Sequence, residues 1–290
     1  MTRVWSIAIH GGAGPIRQAD FSAAEAHMAE TLKAACAALE AGAHAVDVAE
    51  KAIIALEESG HHIAGRGASP NALGQWELDA AIMDGETRNA GAVAALRGFR
   101  SPIRAARMVM DYSQHVMLVG KGASLFLRGK GLRRVWNPRD YYRPSVRRTV
   151  EPGEIAHGTV GAVVLDGEGR LAAATSTGGL LGKMPGRVGD TPILGAGTWA
   201  DERVAVSCTG QGEFFMRAAV AADISARVRY GKLGLKEAAN AALEDVHFLG
   251  GDGGLIAVDV LGNVTAPFLS ESMKRGIATS RGEFHVAVRR

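Results

Sequence analysis

The sequence predicts an α+β protein in which a mixed or antiparallel sheet is covered by helices. Apolar, strand-like runs occur in both halves of the 290 residues and alternate with helical segments. Several neighbouring runs are joined by short turns, such as Asp84-Gly85 and Gly167-Glu168-Gly169, which is typical of hairpins. No Gly-x-Gly-x-x-Gly motif follows a strand and no Walker loop is present. These observations disfavour a doubly wound nucleotide-binding fold.

Strand and helix patterns alternate in the first half. Val4–His10 is predicted as a buried strand, and Gly11–Pro15 as a loop because glycine and proline interrupt the run. The Ala-, Glu- and Leu-rich stretch 22–58 is predicted as helical and divided at Gly42. The next predicted elements are a Gly-rich loop (59–74), strands 76–83 and 89–96, helix 102–110, strand 115–119 and a helix from residue 123.

The second half reads as hairpins with helices between them. Thr159–Asp166 and Leu171–Ser176 are predicted to form a hairpin across the glycine turn. The remaining predicted elements are strands 198–200 and 204–208, helices 212–230 and 235–245, and a last hairpin of 255–260 with 264–266.

The composition is that of a globular protein without membrane helices. Hydrophobic residues make up 47% and charged residues 22%, which excludes bulk disorder. Apolar stretches end well before the roughly 18 residues of a membrane span, and the amino-terminal run is too short for a signal peptide. Two cysteines, Cys36 and Cys208, make a disulfide framework improbable. A cytoplasmic protein is expected.

The net charge of +3 comes from one basic stretch, Arg128–Arg148. Prolines at 138, 144 and 152 interrupt the following residues, so 137–158 is predicted to be a mobile linker. A basic linker is the preferred interpretation. An arm that binds nucleic acid is the alternative, and it would show salt-sensitive retention on DNA.

Thr159 opens a strand directly after this linker, preceded by His157-Gly158. Taken alone, a threonine there is a common strand residue. If the chain were cut before it, however, its hydroxyl and its new α-amino group would form a nucleophile–base pair. The amine has a reference pKa of about 7.7–8.0 and can accept the hydroxyl proton near neutral pH. Gly158 suits such a cut because it tolerates strained backbone.

Three downstream segments carry further polar groups. Thr177 ends the strand that pairs with the Thr159 strand; it could hydrogen-bond to the Thr159 hydroxyl, although the segment alone favours a hydroxyl-rich turn. Arg187 and Asp190 lie three residues apart and could hold the carboxylate and ammonium of an α-amino acid, or only each other in a surface salt bridge. Thr209 and neighbouring backbone N–H groups could stabilise an oxyanion.

Together these motifs resemble the plant-type L-asparaginases or isoaspartyl peptidases, which are N-terminal nucleophile hydrolases. The resemblance spans roughly Val4 to Ser280. The segments that carry it are His10–Gly14, Glu77–Gly85, Ala90–Ala94, His157–Val163, Ala172–Gly179, Lys183–Asp190 and Ser207–Glu213.

The resemblance implies a four-layer αββα sandwich and a precursor that cleaves itself between Gly158 and Thr159. The pieces 1–158 and 159–290 would stay together as α and β subunits of one folded unit and associate as a dimer of such units. By motif match, Thr159 is the nucleophile, Thr177 supports it, and Thr209 and Gly210 form the oxyanion hole. Arg187 matches the residue that binds the substrate α-carboxylate and Asp190 the one that binds the α-amino group. Gly212 matches a further substrate-binding residue. The implied substrates are L-asparagine and β-aspartyl peptides. Their hydrolysis would require no metal or organic cofactor.

The sequence departs from the family at two positions. Ile63 stands where relatives have asparagine near the nucleophile, and Gln211 stands where many have threonine. Many relatives also bind a structural sodium ion through backbone carbonyls. The matching residues here are Leu56, Glu57, Ser59, His62, Ala64 and Arg66. The neighbouring pair His61-His62 is interpreted as an exposed loop and not as a transition-metal site.

Two other functions stay open from the sequence. One is glycosylasparaginase, which the missing signal peptide disfavours. The other is an uncleaved, inactive relative that binds aspartate-like amino acids, for which Ile63 is the one supporting feature. Neither membrane nor nucleic-acid partners are expected.

Overall fold

Two stacked sheets form the centre of the protein, whose computed structural model describes residues 3–16, 20–143 and 158–289. The strands are β1 (Ser6–Gly14), β2 (Leu78–Asp84), β3 (Ala90–Leu96), β4 (Met117–Val119), β5 (Thr159–Leu165), β6 (Leu171–Thr177), β7 (Thr198–Ala200), β8 (Val204–Gly210), β9 (Gly253–Asp259), β10 (Val264–Thr265), β11 (Ser272–Thr279) and β12 (Phe284–Ala287). Within the described residues the larger sheet has the order β12-β11-β1-β5-β6-β2-β3-β4, and the smaller one β10-β9-β8-β7. Neighbouring strands are antiparallel except β3 and β4.

Helices cover the outer face of each sheet. They are α1 (Ser22–Glu40), α2 (Ala45–Ser59), α3 (Pro102–Tyr112), α4 (Gly120–Phe126), α5 (Pro138–Tyr141), α6 (Gly212–Ala218), α7 (Val220–Arg229) and α8 (Leu235–Phe248). A single 3-10 turn, Gly65–Gly67, follows α2. The α2 helix begins after His44, whose Nδ1 accepts the Val46 N–H, and ends at Gly60 in the left-handed region. None of the described helices is long and apolar enough to cross a membrane.

Three apolar layers hold the four structural layers together. Alternate side chains of the larger sheet, such as Ile9 and Val160, pack against α1, α2 and α3. The opposite side chains, such as Val163, pack between the sheets against Ile256 of β9. Beyond the smaller sheet, residues such as Phe215 form a third core with α7 and α8. Both faces of β5 are therefore buried, which explains its unbroken apolar run. The predicted αββα sandwich is confirmed.

The path of the chain differs from the sequence prediction at three points. Gly11–Gly14 continues β1 and is not a loop, because an irregular register at Gly11 and Gly12 lets the strand keep pairing with β11. The helix predicted over 212–230 is broken at Ala219, whose φ of 47° is left-handed. The strands β11 and β12 were missed, although they complete one edge of the larger sheet.

Two tyrosines near the start of the predicted linker, Tyr141 and Tyr142, pack against the body of the protein. Residues 138–141 form α5, and the Tyr142 side chain is buried. Its ring stacks on Trp76 with centroids 5.2 Å apart, and its hydroxyl donates to the Phe99 carbonyl at 3.3 Å. Residues 137–140 are exposed, so burial at the start of the predicted linker is seen at Tyr142, and the mobile linker over 137–158 stays a prediction. Residues 144–157 of the predicted linker lie outside the described residues.

Candidate active site

Thr159 and Thr177 lie directly opposite each other on β5 and β6, in the middle of the larger sheet. The Thr159 hydroxyl donates to Thr177 Oγ1 at 3.3 Å, and both side chains are buried. Thr177 Oγ1 also accepts the Gly179 N–H at 3.0 Å, which fixes its rotamer. The structure thus brings together the two threonines that the sequence predicts as nucleophile and support. The hydroxyl of Thr159 is oriented by one defined acceptor.

The peptide bond before Thr159 is enclosed by Gly12 and Ile63. A Cβ on Gly158 would lie 2.6 Å from Ile63 Cγ1, so only glycine fits beside this isoleucine. On the other side, a Cβ on Gly12 would lie 2.8 Å from Gly158 Cα, and Gly12 has a φ of 103°. The irregular register of β1 therefore gives the backbone room to approach the Gly158–Thr159 bond closely.

Ile63 contributes backbone as well as side chain to this region. Its carbonyl accepts the Gly178 N–H at 2.7 Å, which ties the loop after α2 to the end of β6. The departure from asparagine therefore changes the surface that faces Gly158 from polar to apolar. The neighbouring His62 is buried and its Nδ1 hydrogen-bonds to the Gly11 carbonyl at 3.1 Å, so the expected exposed loop at His61-His62 is corrected for His62.

A buried hydrogen-bond chain holds the backbone of Thr159, and sequence reasoning missed it. His10 Nδ1 lies 3.1 Å from the Thr159 carbonyl oxygen, and His10 Nε2 lies 3.0 Å from Ser207 Oγ. Burial lowers the pKa of His10 to about 3, so the ring is neutral at ordinary pH. Since a carbonyl only accepts, the proton is on Nδ1 and Ser207 must donate to Nε2.

The same logic extends along the chain to β6 and β7. Thr175 Oγ1 lies 2.7 Å from Ser207 Oγ, and Thr198 donates to Thr175 at 2.7 Å. Because Ser207 uses its one proton towards His10, Thr175 must donate to Ser207. The hydrogen bonds therefore run in one direction from Thr175 to the Thr159 carbonyl, and Thr198 shares its one proton between Thr175 and the Thr191 carbonyl at 3.0 Å. Such a chain fixes the histidine tautomer and the position of the Thr159 backbone.

The predicted oxyanion residues lie at the end of β8. Thr209 is buried, and its Oγ1 accepts the Ala13 N–H at 3.2 Å, which leaves its own proton available for donation. Gly210 has a φ of 152°, and a Cβ there would lie 2.5 Å from the Asp252 carbonyl. The side chain of Gln211 accepts the Asp252 N–H at 3.0 Å, which connects the end of β8 to the residue before β9.

Arg187 and Asp190 do not pair with each other as a surface salt bridge. Arg187 instead forms a two-point ion pair with Glu213, with both N–O distances at 2.9 Å. Asp190 is buried, and its Oδ2 has no hydrogen-bond partner among the described residues. Its Oδ1 lies 2.7 Å from the position of a Cβ on Gly212, so a side chain there would close the approach to the carboxylate.

Burial raises the pKa of Asp190 to about 7, although its own backbone N–H and the nearby Arg187 guanidinium act in the opposite direction. A buried carboxylate without a partner is costly unless a cation binds to it. Asp190 is therefore suited to receive an ammonium group. Arg187 has the planar donor geometry that suits a carboxylate.

A buried charged pair supports the loop that carries Arg187, and it was also missed from the sequence. Lys183 Nζ lies 3.7 Å from Asp79 Oδ2 and donates to the Glu77 carbonyl at 3.1 Å. Glu77 in turn accepts the Gly186 N–H at 3.1 Å. The motif around Glu77 was recognised, but its contact with a loop more than a hundred residues away is visible only in the fold.

The predicted sodium ligands can be tested against the loop geometry. A Cβ on Gly65 would lie 2.6 Å from the Glu57 carbonyl oxygen, and one on Gly67 would lie 2.0 Å from that of His62. Both oxygens therefore face the 3-10 turn. The His62 carbonyl accepts the Ala64 N–H at 2.8 Å and keeps a second lone pair. Hard carbonyl donors fit a hard cation, which would stiffen the loop that places Ile63.

The fold is that of the N-terminal nucleophile hydrolases, and the comparisons with known proteins define the enzyme class as an amidohydrolase. The chain matches the family described as asparaginase over residues 3–151 and 137–288. It is 46% identical over 293 residues to an isoaspartyl peptidase of Escherichia coli, covering 93% of this chain and 91% of that protein. It is 41% identical to a plant-type L-asparaginase of Pyrococcus abyssi, with 89% and 91% covered. An isoaspartyl peptidase/L-asparaginase of Xenopus laevis is 38% identical, with 97% and 94% covered.

The chain belongs to the asparaginase family. The predicted resemblance and enzyme class are confirmed.

Proposed function

We propose that this enzyme cleaves itself between Gly158 and Thr159 and then hydrolyses the side-chain amide of L-asparagine and of β-aspartyl peptides. The observation that carries the proposal is the placement of Thr159 at the start of β5, with its hydroxyl on Thr177 and its preceding peptide bond enclosed by glycine and isoleucine. The names of the relatives in Escherichia coli and Pyrococcus abyssi support the two substrate classes.

Self-cleavage would begin with attack of Thr159 Oγ1 on the carbonyl carbon of Gly158. The peptide C–N bond breaks as an ester forms on Oγ1, and the nitrogen takes the hydroxyl proton. Water then hydrolyses the ester, which leaves a carboxylate on Gly158 and a free α-amine on Thr159. The hydrogen bond from the His10 ring to the Thr159 carbonyl holds Thr159 in place during this exchange.

Hydrolysis of substrate would use the new amine as the base. Asp190 receives the substrate ammonium and Arg187 its α-carboxylate, which places the side-chain carbonyl at Thr159. The amine takes the hydroxyl proton, Oγ1 attacks, and Thr209 and Gly210 donate to the developing oxyanion. The C–N bond breaks, the leaving nitrogen takes the proton, and a β-aspartyl ester remains. Water activated by the same amine releases L-aspartate and restores the hydroxyl.

Recognition of both charges accounts for the choice of substrate. A β-aspartyl peptide presents a free α-amino group and a free α-carboxylate next to its scissile amide, as asparagine does. An ordinary α-peptide has at least one of these groups blocked. It would leave the buried Asp190 carboxylate without a cation, or the edge of Arg187 that faces away from Glu213 without a carboxylate, which is costly.

The test is the intact mass of the denatured protein together with an activity assay. Two fragments that divide at Gly158 and Thr159, and release of aspartate from asparagine or a β-aspartyl dipeptide, are the expected results. Thr159→Ala should abolish both. A single stable chain that binds aspartate without turnover would instead favour the uncleaved amino-acid-binding protein. Hydrolysis of β-aspartyl peptides by Thr159→Ala would refute the mechanism.

We further propose that the enzyme forms a dimer of αβ units in a reducing cytoplasm. Exposed apolar side chains cluster around the edge strand β4 and helix α4, including Val116, Val119 and Leu125, and such patches are typical of association surfaces. Both cysteines, Cys36 and Cys208, are free thiols, as expected of a reducing compartment. Sedimentation velocity should give the mass of two chains, and a monomer at all concentrations would refute the dimer.

A further inference from the structure

The carboxylate of Glu213 clamps one edge of the Arg187 guanidinium. Arg187 Nε donates to Glu213 Oε1 and Arg187 Nη2 donates to Oε2, each at 2.9 Å. A guanidinium has five N–H groups in one plane, so this side-on pair uses two of them. The end-on edge, made by Nη1 and the second proton of Nη2, keeps the geometry that binds another carboxylate.

The clamped guanidinium lies against bare backbone. Its Nη1, Cζ and Nη2 are 3.0–3.3 Å from the position of a Cβ on Gly189, so a side chain there would displace it. The Cα of Gly189 is in turn 3.1 Å from the Cβ position on Gly212, which borders Asp190 Oδ1. Arg187 and Asp190 therefore lie against two glycines that contact each other, where any side chain would displace one of the two charged groups.

The electrostatics of Asp190 agree with this arrangement. The pKa of Asp190 is pushed down by Arg187 and up by Glu213, so both charges act on the same carboxylate. An arginine side chain carries about 2 kcal/mol of rotamer entropy, and a clamp on one edge removes much of that freedom before substrate arrives.

We propose that Glu213 is a positioning residue for substrate binding. Its side-on pair holds the Arg187 guanidinium so that the end-on edge receives the α-carboxylate of the substrate while Asp190 receives the ammonium. This inference rests on the proposed function. It adds a third residue to the site that binds the two charged groups of the substrate. Glu213, whose side chain is half-exposed, positions Arg187 and does not touch the substrate.

The experiment measures steady-state kinetics of Glu213→Ala and Glu213→Asp on L-asparagine. Glu213→Ala should raise KM about tenfold and change kcat less than about threefold, because Arg187 binds substrate and does not take part in bond breaking. Glu213→Asp keeps the charge and should recover part of the loss. A purely structural role would lower the amount of folded, cleaved enzyme and leave the KM of the remainder unchanged.

A double-mutant cycle separates this role from others. In the Arg187→Ala background, Glu213→Ala should have no further effect on KM, because the group it positions is gone. The matched control is Glu202→Ala, since Glu202 is another half-exposed glutamate that accepts from an arginine, Arg88, at 3.0 Å. It should leave KM unchanged.

The outcomes distinguish this inference from the proposed function. If the wild-type enzyme releases no aspartate, the proposed function fails first. If the wild type is active but Glu213→Ala has an unchanged KM, or its effect adds fully to that of Arg187→Ala, the positioning role is wrong and the proposed function stands.

Discussion

Inhibition by the product L-aspartate should strengthen as the pH rises from about 6 to about 8, because its ammonium requires an ionised Asp190. Burial raises the pKa of this carboxyl to about 7 in the unliganded site. A group with that pKa is about one-eleventh ionised at pH 6 and about ten-elevenths ionised at pH 8. The inhibition constant of aspartate should therefore fall about tenfold, which corresponds to about 1.4 kcal/mol of binding free energy.

The assay compares aspartate with succinate as competitive inhibitors of asparagine hydrolysis. Succinate has the two carboxylates of aspartate and no ammonium. Its inhibition constant should stay constant or rise with pH, because an ionised Asp190 then faces no cation. The ratio of the two constants isolates Asp190, since titration of the Thr159 amine affects both inhibitors.

Parallel pH profiles for aspartate and succinate would refute the reasoning, because the ammonium would then not be received by a carboxyl that titrates in this range. The variant Asp190→Asn provides the control. It keeps the size of the side chain and removes the charge, so the ratio of the two constants should become independent of pH.

Three further substitutions test the hydrogen-bond chain, the nucleophile support and the outer core. Gly161→Ala should lower the free energy of unfolding by about 1–3 kcal/mol, because the added Cβ would lie 2.1 Å from His10 Nε2. Denaturant unfolding measures this change, and an unchanged midpoint would contradict the prediction. Thr177→Val should lower kcat about tenfold to a hundredfold, because Thr159 loses the hydrogen-bond acceptor that orients its hydroxyl. Steady-state kinetics on the cleaved variant measure kcat. An unchanged kcat would show that Thr177 does not support Thr159. Phe215→Ala should lower the free energy of unfolding by about 3–5 kcal/mol, because the ring is fully buried. The control Phe248→Ala, at a residue that is 90% exposed, should change this free energy little. Equal effects of the two substitutions would contradict the assignment of Phe215 to the third core.

Local sequence patterns predicted the elements that pair with segments close to them in the sequence. The hairpin of β5 and β6 was found because its apolar runs flank a glycine turn. The strand β11 was missed because Lys274 and Arg275 interrupt its alternation, although the Lys274 side chain is partly buried in the fold and its ammonium donates to the His61 carbonyl at 3.2 Å. Ala219 gave no signal either, since alanine rarely adopts a left-handed backbone.

The residues of the candidate site also separate into those that local sequence patterns identify and those that only the fold brings together. Thr159 and Thr177 stand out because a strand start and a strand end face each other across one hairpin. His10, Ser207 and Lys183 could not be assigned, because each acts through a partner far away in the sequence and is brought there by the sheet order. Sequence reasoning treats a buried polar residue as packing until its hydrogen-bond partner is known.

The order of strands in the larger sheet has a consequence for the thermodynamics of a cut chain. The sequence β1-β5-β6-β2 inserts two strands of the second piece between two strands of the first, so ladders on both sides join the pieces. Cutting before Thr159 removes no ladder and no core contact, but it turns folding into an association of two molecules. The uncut chain should then have a melting temperature that is independent of protein concentration, whereas the cut enzyme should melt higher as its concentration rises.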